Sequence, residues 1–261
     1  MRVKIRKYGV FYAAGGLVSL WLKYRFCHAG SEELLWILTP VAWWVQRLSG
    51  LSFIYEQGVG YVEHSVRFII APSCSGVQFL IIAMAVLLFT FVHRTGTLRK
   101  GALWTLISLA GAYGYTIFVN GIRIVLAIWI PDALKRNGIR TEWLTPERLH
   151  TIIGVTVYFA ALLLLYRGVD ALLCRLEGRS ESSERTAGQR KAVREMKRYA
   201  APVFWYLFIV LGVPFLNHAV EKDPAGYGEY ALVTGSVCLG VLAVSGLIGV
   251  WLCGKPDGCE R

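Results

Sequence analysis

The six cysteines (Cys27, Cys74, Cys174, Cys238, Cys253 and Cys259) contain no Cys-x-x-Cys pair and no metal-ligand spacing. Neither a zinc site nor a disulfide framework is therefore supported, and no metal or cofactor is expected. The chain also lacks Gly-x-Ser-x-Gly and His-Glu-x-x-His, which weakens any case for a serine or metal intramembrane protease. No internal repeat is visible. Acidic residues are scarce, with 17 Asp and Glu against 28 Lys and Arg, and charged residues make up only 17% of the chain. Residues 8–22 follow a basic start but end at Lys23-Tyr24-Arg25 without a small-x-small cleavage site. They read as a retained first span and not as a removable signal.

Long apolar runs are what the sequence has instead. Of its 261 residues, 55% are hydrophobic, the mean hydropathy is +0.49, and several runs approach the roughly 20 residues that cross a bilayer. The expected fold is an all-α polytopic membrane protein with about six transmembrane helices, an outer interfacial helix and a short β-hairpin. A net charge of +11 invites a nucleic-acid reading, but the Lys and Arg residues fall mostly between the apolar runs, as the positive-inside rule requires. The charge sets topology, and no nucleic-acid partner is expected.

Arg2, Lys4, Arg6 and Lys7 put the N-terminus on the cytoplasmic side, so residues 8–22 run outward. Residues 34–48 carry three tryptophans, an internal Thr39-Pro40 and a terminal Gln46-Arg47. This stretch is too short to cross comfortably and reads as a helix in the outer interface. Short aromatic and β-branched pieces separated by glycines over 51–70 read as a hairpin that ends at Pro72. Residues 77–92 return inward to His93-Arg94-Thr95-Gly96-Thr97-Leu98-Arg99-Lys100, a loop without acids. Residues 101–130 run outward, with Ser108, Gly111 (or Ala112) and Gly114 available for close helix contact. The span from His150 to Tyr166 comes back in. The expected units are an anchor helix over 1–33, a core over 34–166, a basic cytoplasmic linker over 167–200 and a C-terminal transmembrane hairpin over 201–261. The hairpin reads as an appended module with no catalytic role, and Gly235, Gly240, Ser245, Gly246 and Gly249 suit its packing against neighbours.

The chemistry centres on Ala71-Pro72-Ser73-Cys74-Ser75-Gly76-Val77, where a turn-rich segment gives way to an apolar helix. Helix starts leave N–H groups unpaired and favour negative charge, the charge a nucleophilic sulfur carries. A free cysteine more often packs as a small hydrophobe, so Cys74 needs company. Asn120-Gly121-Ile122-Arg123 supplies an arginine inside an apolar run. Such an arginine costs about 2.5–3.5 kcal/mol if placed centrally in the bilayer. The plain alternative is snorkelling to lipid phosphate. Asn120, one turn earlier on the same face, makes a polar stripe instead. His150 opens the next apolar run, and its plain reading is an interfacial histidine. Counted from cytoplasmic markers at about 1.5 Å per residue, Cys74, Arg123 and His150 rise roughly 29, 35 and 26 Å, close to the roughly 30 Å hydrocarbon thickness. All three fall near the outer boundary.

Cys74-Ser75-Gly76 at a span start, Asn120-x-x-Arg123, and His150 followed by Gly154, in that order, resemble the exosortase and archaeosortase family of membrane cysteine transpeptidases. The likeness covers roughly residues 34–166. The Pro-Ser-Cys-Ser-Gly form and the compact size resemble the exosortase K subgroup. Many relatives have alanine where Ser73 stands and an acidic residue where Thr151 stands. The resemblance implies Cys74 as nucleophile, His150 as general acid or base and Arg123 as stabiliser of the oxyanion or thiolate, with Ser75, Gly76 and Asn120 in support. It implies exported protein substrates whose C-terminal sorting signal combines a short motif such as Pro-Glu-Pro, an apolar helix and a basic tail. It also implies a multi-pass place among the lipids of the bacterial inner membrane, with the site facing the periplasm. The alternative from another class is a non-catalytic transporter subunit or assembly scaffold in which Asn120 and Arg123 bind an anionic head group.

Overall fold

The computed structural model describes residues 2–138, 143–176 and 199–253. Residues 177–198 of the expected linker, Glu142 of the expected outer loop and Cys259 lie outside the described residues. The chain is helical apart from one small sheet. Its elements are α1 (Arg2–His28), α2 (Leu35–Ser49), the strands β1 (Ile54–Glu56), β2 (Gly60–Glu63) and β3 (Phe68–Ile70), then α3 (Val77–Phe91), α4 (Leu98–Arg136) and α5 (Pro146–Leu176). The C-terminal pair follows as α6 (Tyr199–Leu216), a short α7 (Ala219–Lys222) and α8 (Pro224–Cys253).

Among the described residues, five helices are long and apolar enough to cross a membrane: the segment Pro72–Arg94 around α3, then α4, α5, α6 and the Pro224–Leu247 part of α8. The expected first span, α1, is a 27-residue helix whose apolar run is diluted by Lys23 and Arg25, and it does not join them. It nevertheless runs the height of the bundle. Near one end Lys7 Nζ donates to the Gly96 carbonyl (2.6 Å), and near the other Phe26 lines a cavity shared with His150.

α3 is the centre. Its run over 79–89 holds no polar residue, and 83% of its spanning window is buried, with α1, α4 and α5 packed against the helix. α2 stays outside the set of candidate spans, as its length foretold. Its proline lies within a continuous helix and does not break it. Pro40 has no N–H for the Trp36 carbonyl four residues back, and the Tyr113 hydroxyl of α4 donates to that carbonyl instead (2.6 Å).

The expected hairpin is a three-stranded antiparallel meander, β1-β2-β3. Ile54 stands opposite Val62, and Tyr61 opposite Ile70. The third strand falls on Phe68–Ile70, directly before Pro72, and the Tyr61 hydroxyl pins the sheet to Thr39 Oγ1 of α2 (2.9 Å).

The small residues proved uneven as packing sites. Ser108 and Ala112 are buried, but a Cβ added at Gly111, Gly114, Gly235, Gly240 or Gly246 would meet nothing within 4 Å. Those of α8 therefore do not mediate close helix approach, contrary to expectation.

Candidate active site

Cys74 ends a 3₁₀ turn over Pro72–Cys74, and Gly76 starts α3 in the left-handed region (φ 78°). Ala71 is extended ahead of Pro72, as a residue before proline prefers. The turn is closed by the Cys74 N–H donating to the Ala71 carbonyl (2.8 Å) and the Ser75 N–H to the Pro72 carbonyl (3.1 Å). Gly76 is obligatory twice over. Its φ disfavours a side chain, and a Cβ there would lie 3.0 Å from the amide of Asn120.

That amide is the clamp. Asn120 Nδ2 donates to the Cys74 carbonyl (2.7 Å), and Asn120 Oδ1 accepts from the Tyr158 hydroxyl (2.7 Å). Asn120 is fully buried, so both ends of its amide need the partners they have. One residue of α4 thus fixes the Cys74 turn to α5.

One turn further along α4, Arg123 donates from Nη2 to His150 Nε2 (2.5 Å). The accepting nitrogen carries the lone pair. Arg123 is 7% exposed, lies over the Tyr158 ring at 5.5 Å, and keeps its Nε buried without a hydrogen-bond partner among the described residues. Snorkelling is therefore excluded: the guanidinium points into protein. Gly154 makes room for it, since a Cβ there would stand 3.3 Å from Arg123 Nε. This gives a physical reason for glycine four residues after His150.

A cavity of about 220 Å³ opens among these groups, lined by Ser73, Gly76, Arg123, His150, Gly154 and Tyr158, among others. Cys74 is 8% exposed and is not itself among the lining residues, although its neighbours Ser73 and Gly76 are. Tyr158 lies within electrostatic reach of both Cys74 and Arg123. Ser75 is fully buried, with Oγ unpartnered among the described residues, and packs outside the cavity lining. Thr151 lines the cavity, but its hydroxyl donates back to the Glu147 carbonyl (3.0 Å) and does not orient His150.

Lys7 meets Gly96, and Arg94 pairs with Asp170 (2.8 Å), so those groups share one end of the bundle. Cys74, Arg123 and His150 share the other.

Sequence reasoning missed Tyr158, although the series His150, Gly154, Tyr158 repeats every four residues and marks one helix face. It also missed Tyr206, Val210 and Tyr230 of the C-terminal pair, which line the same cavity. No local signal singles those three out from other apolar and aromatic residues.

No curated protein and no solved structure matches the chain. Residues 9–167 match the family model described as transmembrane exosortase (Exosortase_EpsH). That stretch exceeds half of the chain and contains the Cys74 turn, the Asn120–Arg123 face and the His150–Tyr158 face, so the protein belongs to the transmembrane exosortase family.

Proposed function

We propose that the chain is a membrane cysteine protease and transpeptidase that cleaves exported proteins at a C-terminal sorting signal made of a short motif, an apolar helix and a basic tail. Cys74 is the nucleophile. As its sulfur bonds to the scissile carbonyl carbon, the thiol proton passes to His150 and the carbonyl electrons move onto oxygen. When that intermediate collapses the C–N bond breaks, His150 delivers a proton to the departing amine, and the acyl group stays on sulfur as a thioester. Water or an acceptor amine then attacks the thioester and frees Cys74.

Arg123 serves the oxyanion. Its buried Nε–H, without a hydrogen-bond partner among the described residues, is a donor that costs no reorganisation when negative charge develops nearby. The observation that carries this reading is the junction itself: one face of α4 holds the Cys74 turn through Asn120 and the His150 ring through Arg123. The head-group scaffold reading fits less well, because both ends of the Asn120 amide are already committed inside the protein and Arg123 is withdrawn from the surface.

In this account residues 34–166 form the catalytic core, 1–33 an anchor helix and 167–200 a cytoplasmic linker, and the cavity faces the periplasm from the inner membrane. The test is co-expression with a reporter that ends in such a signal. Wild type releases the tail and leaves a hydroxylamine-sensitive adduct on Cys74, whereas Cys74→Ala does neither. Tail release by Cys74→Ala overturns the assignment.

A further inference from the structure

The C-terminal pair lies outside the stretch that matches the family, yet it closes one side of the cavity. Tyr206 and Val210 of α6 are buried, Tyr230 of α8 is half-buried, and all three line the cavity with Arg123 and His150. Both helices are otherwise lipid-facing: 17% of the α6 window and 11% of the α8 window are buried inside the protein. Of their inward side chains, Tyr206, Val210 and Tyr230 border this space, whereas Thr234 and Cys238 are buried away from it. Tyr206 packs on Phe159 of α5 with ring centroids 5.0 Å apart.

Two further features point to the same place. α6 widens to a π-helical turn over Phe208–Gly212, and Val210 is the buried residue of that turn. Such turns are rare and are frequent at functional sites. Arg148, two residues before His150, donates from Nε to Glu229 (2.5 Å), the residue just before Tyr230. Arg148 also holds the Trp143 carbonyl (2.9 Å), and the Tyr227 hydroxyl ties α8 to the Leu211 carbonyl of α6 (3.0 Å). The mouth of the cavity is thus braced across the helix pair.

We propose that this pair is the specificity wall of the site: Tyr206, Val210 and Tyr230 limit the space beside Arg123 and His150 to a small, apolar side chain next to the cleaved bond. The Arg148–Glu229 pair sets the distance of that wall from His150. The proposal rests on the catalytic reading above. At about 220 Å³ the cavity falls below the roughly 300–1,000 Å³ typical of drug-sized ligands, so it takes a short extended segment. A cationic side chain against Val210 and the tyrosine rings would lose its hydration without gaining a counter-charge.

The test uses the full chain in membranes and two thiol probes of different size, iodoacetamide and N-benzylmaleimide, with alkylation read at Cys74 by peptide mass spectrometry. With each rate normalised to that of free glutathione, wild type should favour the small probe. Tyr230→Ala should raise the bulky-to-small rate ratio by roughly tenfold, the scale on which a pocket discriminates a single methylene, while Tyr230→Phe keeps the wild-type ratio. Glu229→Arg should raise the ratio as well, and adding Arg148→Glu should restore it. Leu239→Ala, on the exposed face of α8, is the neutral control. An unchanged ratio in Tyr230→Ala overturns the wall. In reporters with Ala, Leu or Phe beside the cleaved bond, Tyr230→Ala should gain on the larger residues. Tail release by Cys74→Ala refutes the catalytic reading; a dead Cys74→Ala with an unaltered residue ranking in Tyr230→Ala refutes only the wall.

Discussion

The central helix α3 and the C-terminal pair α6 and α8 are all apolar enough to cross a membrane, but 83% of the α3 window is buried against 17% and 11% for the pair. Apolar composition therefore has two meanings in this chain. In α3 it answers to protein packing on every side, where each lost methylene leaves a void. In the pair it answers mainly to lipid, which accepts almost any apolar side chain. Three of the positions that depart from this division, Tyr206, Val210 and Tyr230, are informative because they line the cavity.

The largest effects should fall on the junction of α3, α4 and α5. Arg123→Ala should lower tail release by about 10²–10³-fold, the range seen when one oxyanion donor is removed; a kinetic assay on the reporter checks this. Gly76→Ala comes next. A left-handed backbone costs a non-glycine residue about 1–3 kcal/mol, and the new methyl would meet the Asn120 amide at 3.0 Å. Thermal unfolding in detergent should show that loss, and activity should fall with it.

Gly154→Ala should separate the two readouts. The added Cβ would lie 3.3 Å from Arg123 Nε, so activity should drop while the melting temperature barely moves. Tyr113→Phe should cost about 1 kcal/mol of stability, because the Trp36 carbonyl loses its donor, and should leave catalysis intact. The smallest effect belongs to the lipid-facing side. Gly235→Ala and Gly240→Ala project a methyl into open space and should shift stability by no more than about 0.5 kcal/mol. A loss there as large as that of Gly76→Ala would erase the contrast between the two regions.

Most of the architecture was legible from hydropathy and charge, since an apolar run bounded by basic loops has few other fates in water or lipid. The site was legible where chemistry is improbable on other grounds: a buried-run arginine, an asparagine one turn from it, and a cysteine at a turn-to-helix junction. Tyr158 was concealed because an aromatic residue in a spanning helix is ordinary, and only its four-residue spacing from Gly154 betrays the shared face. Tyr206 and Tyr230 gave no sign at all. Their role depends on how α6 and α8 dock on α5, which periodicity along a single helix does not encode. The third strand is hidden within an apparent hairpin for a similar reason: three residues, Phe68–Ile70, carry too short an alternation to stand apart from the turn before Pro72.

The central claim is that the Cys74 sulfur and the Arg123 guanidinium work in one pocket. The most direct measurement is the alkylation rate of Cys74 by a membrane-impermeant thiol reagent applied from the exterior, compared between wild type and Arg123→Ala. The account predicts labelling in both, faster in wild type. Equal rates, or no labelling from that side, would contradict it.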